Sequence, residues 1–360
     1  MTARLDEQAL AKPRERQPLI ATLAAHSLFR PLAALGVLLL LDFLLIPGFF
    51  RLEIKDGHLY GSLVDIVNRA APLMLAAIGM TLVIATRGID ISVGAVVALS
   101  GTVAAMLVGG TMVVNNGVPE YVANTPMLLA LGAALGIALL CGLWNGALVA
   151  GLGLQPIVAT LILMVAGRGL AQLFTDGQIV TVYYKPFFFL GSGYLFGLPV
   201  ALFVVAAVLA ATALLMRKTA LGLFIQAVGI NPVAARLAGV RTAALVVFVY
   251  AFCSLCAGMA GLMISSNVKS ADANNAGMLL ELDAILAVTL GGTSLAGGKF
   301  SLAGSMIGAL IIQTLTYTIY SLGVPPEVNM VVKSVVVFLV CISQSGEFKK
   351  LRTSFTRRTA

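Results

Sequence analysis

Apolar stretches of about twenty residues, the length that carries a helix across a bilayer, recur from one end of this chain to the other. Backbone in lipid can satisfy its hydrogen bonds only inside helices or a closed barrel. Barrel strands are shorter and alternate in polarity, and the chain shows no such alternation. Of its 360 residues, 59% are hydrophobic and 11% charged, where soluble domains carry roughly 25% charged residues. The chain therefore reads as one all-α polytopic membrane protein of about ten transmembrane helices.

The expected spans fall at 31–50, 62–86, 92–114, 126–150, 156–175, 198–216, 242–266, 281–290, 301–320 and 329–343. The eighth is too short, at about 1.5 Å per residue, to cross about 30 Å of hydrocarbon. It begins earlier, near Ala276, or is discontinuous. The run that follows, from Gly291 and Gly292 to Gly297 and Gly298, predicts irregular backbone, which survives at membrane depth only when protein covers it or water reaches it.

Charge orients the bundle. Residues 1–30 carry five Lys and Arg, 217–241 carry four and 346–360 carry five, together 14 of the 23 basic residues. An even number of crossings places all three clusters on one side, and the positive-inside rule makes that side cytoplasmic. The opposite loops hold Glu53, Asp56, Glu120, Asp176, Asp272 and Glu327. Three regions follow: a basic cytoplasmic segment at 1–30, a transmembrane domain at 31–343, and a basic cytoplasmic tail at 344–360. The tail suits anionic lipid headgroups. Residues 1–30 lack the apolar core and cleavage site of a signal peptide, so the first span is expected to be retained. The net charge of +8 is topology; nucleic-acid binding would gather it on a soluble module.

The most informative interruption is 217–241, a polar segment with four basic residues and no acid. Asn231 is a good N-cap and Pro232 suits the first helical position. Residues 233–238 then make two turns that end at Gly239. A short helix between two spans on the basic side suggests a part that plugs into something in the cytoplasm.

No catalytic set stands out. His26 and His58 lie outside the spans, and Cys253 and Cys256 have no neighbours to complete a metal site; neither metal nor cofactor is expected. Gly298-Lys299 is a near miss for a phosphate-binding loop, which needs Gly at Thr293 and Ser or Thr at Phe300, so the chain is not expected to bind ATP. Asp90, at the junction of the second and third spans, reads either as a helix cap or as a solute contact, since charge at membrane depth is costly and functional. Asp283, with Glu281, opens the eighth span as a pathway group or as a charge favoured by the helix dipole. Asn145 suits a route that needs weak hydrogen bonds, or a bond between helices. Arg168 and Gln155 are further polar residues within or beside spans. Asp42 is expected to be buried against a neighbouring helix. Residues 187–189, all Phe, read as an interfacial anchor or as a partner contact.

Three motifs carry a resemblance. GMTLVIATRGIDISVG at 79–94, AVGINPVAARLAGV at 227–240 and LDAILAVTLGGTSLAGG at 282–298 resemble the sugar-importing ABC permeases of the ribose and galactose type. PIVATLILMVAGRG at 156–169 and ADANNAG at 271–277 resemble more closely the galactofuranose permeases of enteric bacteria. The similarity covers about residues 56 to 340. It implies a permease subunit of an ATP-driven importer that moves a monosaccharide, galactofuranose first, across the bacterial inner membrane. It also implies a cytoplasmic ABC ATPase, a second and non-identical permease, and a periplasmic sugar-binding protein as partners. The loop at 217–241 then becomes the ATPase-coupling element, with Asn231, Pro232, Ala235, Arg236 and Gly239 as its residues. Asp90, Asn145, Asp283, Gly291 and Gly292 become candidates for the path or gate. Arg87 departs from the glycine more usual in its motif; pairing with Asp90 or with lipid phosphate are its two readings. An ion-coupled secondary transporter using Asp90 and Asp283 is the alternative, and a scaffold without transport the third.

Overall fold

The computed structural model describes residues 28–325 except 56, 116 and 117, together with 328, 330–332, 334, 335 and 338. The start of the chain to residue 27, the tail at 344–360, Cys341 and most of the expected tenth span lie outside the described residues; those described between 328 and 338 are helical.

The helices are α1 Phe29–Leu45, α2 Ser62–Ala85, α3 Val93–Val108, α4 Met127–Ala150, α5 Pro156–Phe174, the single turn α6 Phe189–Ser192, α7 Val200–Lys218, α8 Leu221–Ile230, α9 Pro232–Leu237, α10 Thr242–Val268, α11 Leu280–Leu290 and α12 Leu302–Ser321. Six of them, α2, α4, α5, α7, α10 and α12, are long and apolar enough to cross a membrane. The expectation of ten therefore exceeds what length and apolarity mark among the described residues. α1 and α3, at 17 and 16 residues, fall a few residues short of the usual ~20. α3 ends early because Gly109 and Gly110 take φ of 45° and 123°. The chain then forms a hairpin, with Thr111 opposite Val122, where the sequence suggested more helix. The eighth expected span is α11, 11 residues long, which is about 16 Å of helix. Its start at Leu280, preceded by Leu279 in the left-handed region, settles the question of its boundary: Ala276 stays outside the helix.

α2 and α10 form the centre. Every residue of α2 from Leu73 to Ala85 is buried, and α10 packs on α4, α2 and α3. The contacts are made by small residues, as in membrane bundles generally. On α4 the buried stripe is Ala130, Ala134, Ala138, Cys141, Gly142, Asn145 and Gly146, while Leu128, Leu140 and Trp144 face outward. A Cβ on Gly142 would stand 2.6 Å from the Ala251 Cα and the Tyr250 carbonyl, and one on Gly79 2.7 Å from the Cys253 Cα. Backbone therefore touches backbone along α10. Side-chain bonds stitch the remaining pairs: Thr81 Oγ1 donates to Ser305 Oγ at 2.7 Å, and Thr318 Oγ1 to the buried Asp42 carboxylate at 2.5 Å. Asp42 thus meets a neighbouring helix, as its sequence context suggested.

The bundle has two distinct ends. At the end where α2 and α10 meet segment 217–241, called the near end here, the connections are short. At the far end short strands make a cover. Glu53–Lys55 pairs with His58–Tyr60, Val180–Thr181 with Ser270–Ala271, and Tyr194–Leu195 with Leu198–Pro199. His58 stacks on Tyr194 with ring centroids 4.4 Å apart. Phe187 is fully buried beneath this cover, its carbonyl accepting from Ser266 Oγ at 2.7 Å. It is core, which neither reading of the Phe run foresaw; Phe189 is the exposed member.

Replacing Gly142 by Val should break the α4–α10 contact, overpacking by about 1–3 kcal/mol or more. The same change at Gly132, whose Cβ would meet nothing within 4 Å, should be tolerated. Thermal unfolding of both variants in mild detergent checks the pair.

Candidate functional site

At the near end three segments of chain converge on one side chain. Beyond α2 the backbone turns through Arg87 at φ 63°. The Arg87 Nε donates to the Ala296 carbonyl at 3.0 Å, and Nη2 donates to the Ile230 carbonyl at 2.6 Å. Ala296 belongs to the glycine-rich loop after α11, and Ile230 is the last residue of α8. The loop is bound a second time, by the Gly298 amide to the Ala85 carbonyl at 2.9 Å. Gly229 is required here, because a Cβ would overlap the Ala85 carbonyl oxygen and the Gly298 amide. Arg87 thus bridges the end of α8 and the loop after α11; among the described residues it makes no bond to Asp90.

Segment 217–241 holds two helices rather than one. α8 escaped the sequence reading because Gly222 and Gly229 weaken its helical signal, yet both sit where backbone presses closely. α9 follows the expected design. Asn231 Oδ1 accepts from the Val233 and Ala234 amides, each at 3.0 Å, and Pro232 opens the helix. Gly239, at φ 88°, makes the left-handed exit that glycine favours. Burial sorts the other residues. Ala235 faces the bundle at 5% exposure, so it seats the helix and is not available to touch a partner. Arg236 is exposed, its Nε 3.4 Å from Thr242 Oγ1. Val233 and Leu237, 67% and 85% exposed, complete an apolar free face that the sequence reading did not single out.

Asp90 and Asn145 come together one layer deeper. Asp90 Oδ1 accepts from the Ser92 amide at 2.9 Å and from Ser92 Oγ at 2.6 Å, and Asn145 Nδ2 donates to the same hydroxyl at 2.9 Å. Both residues are fully buried. Asp90 shapes the turn into α3, and Asn145 ties α4 to that turn. Asp90 Oδ2 and Asn145 Oδ1 have no hydrogen-bond partner among the described residues.

Asp283 and Glu281 open α11. Glu281 is buried against Gly94 at the start of α3, while Asp283 is half-buried. The irregular stretch leading into α11 is held by Arg168, whose Nη1 donates to the carbonyls of Asn274 at 2.8 Å and of Ala273 and Ala276 at 3.2 Å. This replaces the helical bonds that the stretch lacks. Gly291 lets α11 press on Gly304 of α12, and Gly292, at φ 89°, turns the chain.

A cavity of about 370 Å³ opens at the far end, walled by α2, α10, α12 and the cover, with Asp65, Asn68, Arg69, Asn267, Gln313 and Tyr194 among its lining. None of these was a candidate from sequence. The available signal was three polar residues at i, i+3 and i+4 in the apolar helix α2.

Comparisons with known proteins place the chain. The sequence profile of a family described as branched-chain amino acid transport system / permease component matches residues 62–341. The galactofuranose transporter permease protein YtfT of Escherichia coli K12 is 53% identical over 89% of this chain and 90% of its own length. The fructose import permease protein FruF of Bifidobacterium longum is 39% identical over 85% and 83%, and the ribose import permease protein RbsC of Escherichia coli K12 is 37% identical over 87% and 92%. No solved structure matches the chain.

Removing the bridging side chain in Arg87→Ala should release Ile230 and Ala296 from each other. Hydrogen exchange at the amides of 229–231 and 296–298 is expected to speed up about tenfold, as for loss of one charge-assisted bond. Arg87→Lys, a point charge without the fork, should restore little of it.

Proposed function

The chain belongs to the branched-chain amino acid transport system / permease component family, and from that membership we propose that it is the membrane subunit of an ATP-driven monosaccharide importer, with galactofuranose the first candidate. The observation that carries the sugar is the likeness to sugar-import permeases over nearly the whole length of both chains. ATP hydrolysis belongs, on this reading, to a separate cytoplasmic ATPase. A second, non-identical permease completes the membrane part, and a periplasmic binding protein delivers the solute.

The near end is the cytoplasmic side. It gathers Arg87, Arg217, Lys218, Arg236, Arg241 and Lys299, and its acid among the described residues, Asp90, is buried, in keeping with the positive-inside rule. Both termini then lie in the cytoplasm of a bacterial cell, at its inner membrane. On this reading α1 to α5, α7, α10, the chain that ends in α11, and α12 each pass between the two ends of the bundle.

Mechanism follows from which parts are rigid. α9 is capped at one end by Asn231 and at the other by Gly239, and Ala235 anchors it. It presents Val233, Arg236 and Leu237 to the ATPase. A push on α9 reaches Ile230 directly, and through Arg87 it reaches the α2–α3 turn and the loop between α11 and α12. That turn carries Asp90 and is tied to Asn145 of α4; that loop begins at Gly291 and Gly292. Asp90, Asn145, Gly291 and Gly292 are therefore hinge and gate parts moved by the nucleotide state, which biases inward- and outward-open packings.

Arg236→Glu should insert normally, retain ATP turnover in the assembled complex, and lose about tenfold or more of sugar uptake, the scale of one lost interfacial charge contact. Uptake into vesicles, with ATP hydrolysis recorded in parallel, checks it. Uptake and turnover both equal to wild type would remove α9 from the coupling role.

A further inference from the structure

We infer that the far-end cavity is a subsite for a neutral monosaccharide on its way through this subunit; the inference rests on the import function proposed above and assigns it residues. The cavity has about 370 Å³ of space, within the usual range of small-molecule sites.

Its wall is unusual for a membrane bundle. Asp65, Asn68 and Arg69 come from α2, Asn267 from α10 and Gln313 from α12. Polar groups from three apolar helices converge on one space at the far end of the bundle, and hydrogen-bonding groups of this kind give a conduit its selectivity. Several are under-used by the fold. Asn68 Oδ1 is buried without a hydrogen bond, and the Gln313 amide makes none among the described residues. Asn267 donates only a 3.3 Å bond to the Gly191 carbonyl. Pro72, one turn beyond Asn68 and also in the wall, lacks the amide that would meet the Asn68 carbonyl in a regular helix.

Charge selects the ligand class. The Arg69 Nε contacts both Asp65 carboxylate oxygens, at 3.0 and 2.9 Å, so the site is formally neutral. An anion would meet Asp65 and a cation Arg69. A polyhydroxylated ring, in which every hydroxyl both donates and accepts, matches a carboxylate, a guanidinium and three amides at once. The Tyr194 ring, with Met263 and Ile264, supplies apolar surface for its C–H face. The Asp65 and Arg69 side chains are 43% and 64% exposed, so hydrogen bonds here stay weak enough for release, as a conduit requires. A second cavity, of about 260 Å³ beside α3 and α10, has a mainly apolar wall, and its Asp272 is already taken by the Asn274 and Asn275 amides.

The test uses the full assembly, with ATPase and binding protein, in vesicles supplied with labelled galactofuranose and, separately, labelled ribose. Gln313→Leu and Asn68→Ala remove hydrogen-bonding groups. Each is expected to raise the ATP hydrolysed per sugar moved by about tenfold and to change the ratio between the two sugars, the scale of one lost neutral hydrogen bond. A merely structural role would lower uptake and hydrolysis together and leave the sugar ratio alone, and that result would overturn the subsite. Should a variant not insert, Asn267→Cys provides a second reading: saturating galactofuranose is expected to slow its labelling by a water-soluble maleimide, and unchanged labelling overturns the subsite. A wild-type assembly that moves neither sugar would instead refute the import function.

Discussion

Direct backbone contact between helices is the constraint on which the rest depends. Lipid offers no hydrophobic drive to press one helix on another, so association relies on packing and on a few polar bonds. Gly79 against Cys253 and Gly142 against Ala251 bring α2 and α4 onto α10 with no side chain between. That closeness makes α2 a buried centre, and leaves α4, α5 and α7 to present apolar faces outward.

A rigid centre allows irregular backbone elsewhere. α11 covers only part of a crossing, and the chain that leads into it would be intolerable in lipid. Arg168 answers this by donating to three of its carbonyls. At the near end Arg87 does the same for the end of α8 and the loop after α11. Two arginines thus hold the non-helical stretches, one toward each end. Arg87 does so with two arms of its planar guanidinium fork, Nε and Nη2, whereas Arg168 reaches its three carbonyls from Nη1 alone.

This arrangement connects packing to movement. Segments that are tied by side chains rather than by continuous helix are those able to change register without unfolding a span. The turn at Arg87, the end of α8 and the glycine-rich loop form one such joint. On the proposed coupling, the capped helix α9 is the lever of this joint, and the neutral polar cavity lies at the other end of the same α2.

Much of this was legible in the residues themselves. The apolar repeats specified a helical membrane bundle, and Asn231, Pro232 and Gly239 marked α9 because capping is local chemistry that needs no tertiary contact. The motifs around Asp90 and Gly291 identified the family. Other features were out of reach. Ala235 and Arg236 are adjacent in sequence, yet one seats the helix and the other faces outward, which only the docked bundle decides. Arg87 gave no hint of Ile230 or Ala296, since they lie 143 and 209 positions away. α8 was hidden because its glycines lower helix propensity while serving close contacts. The polar cavity was invisible because its groups come from three separate helices. Local chemistry is written along the chain, but which faces meet is settled only when the helices pack.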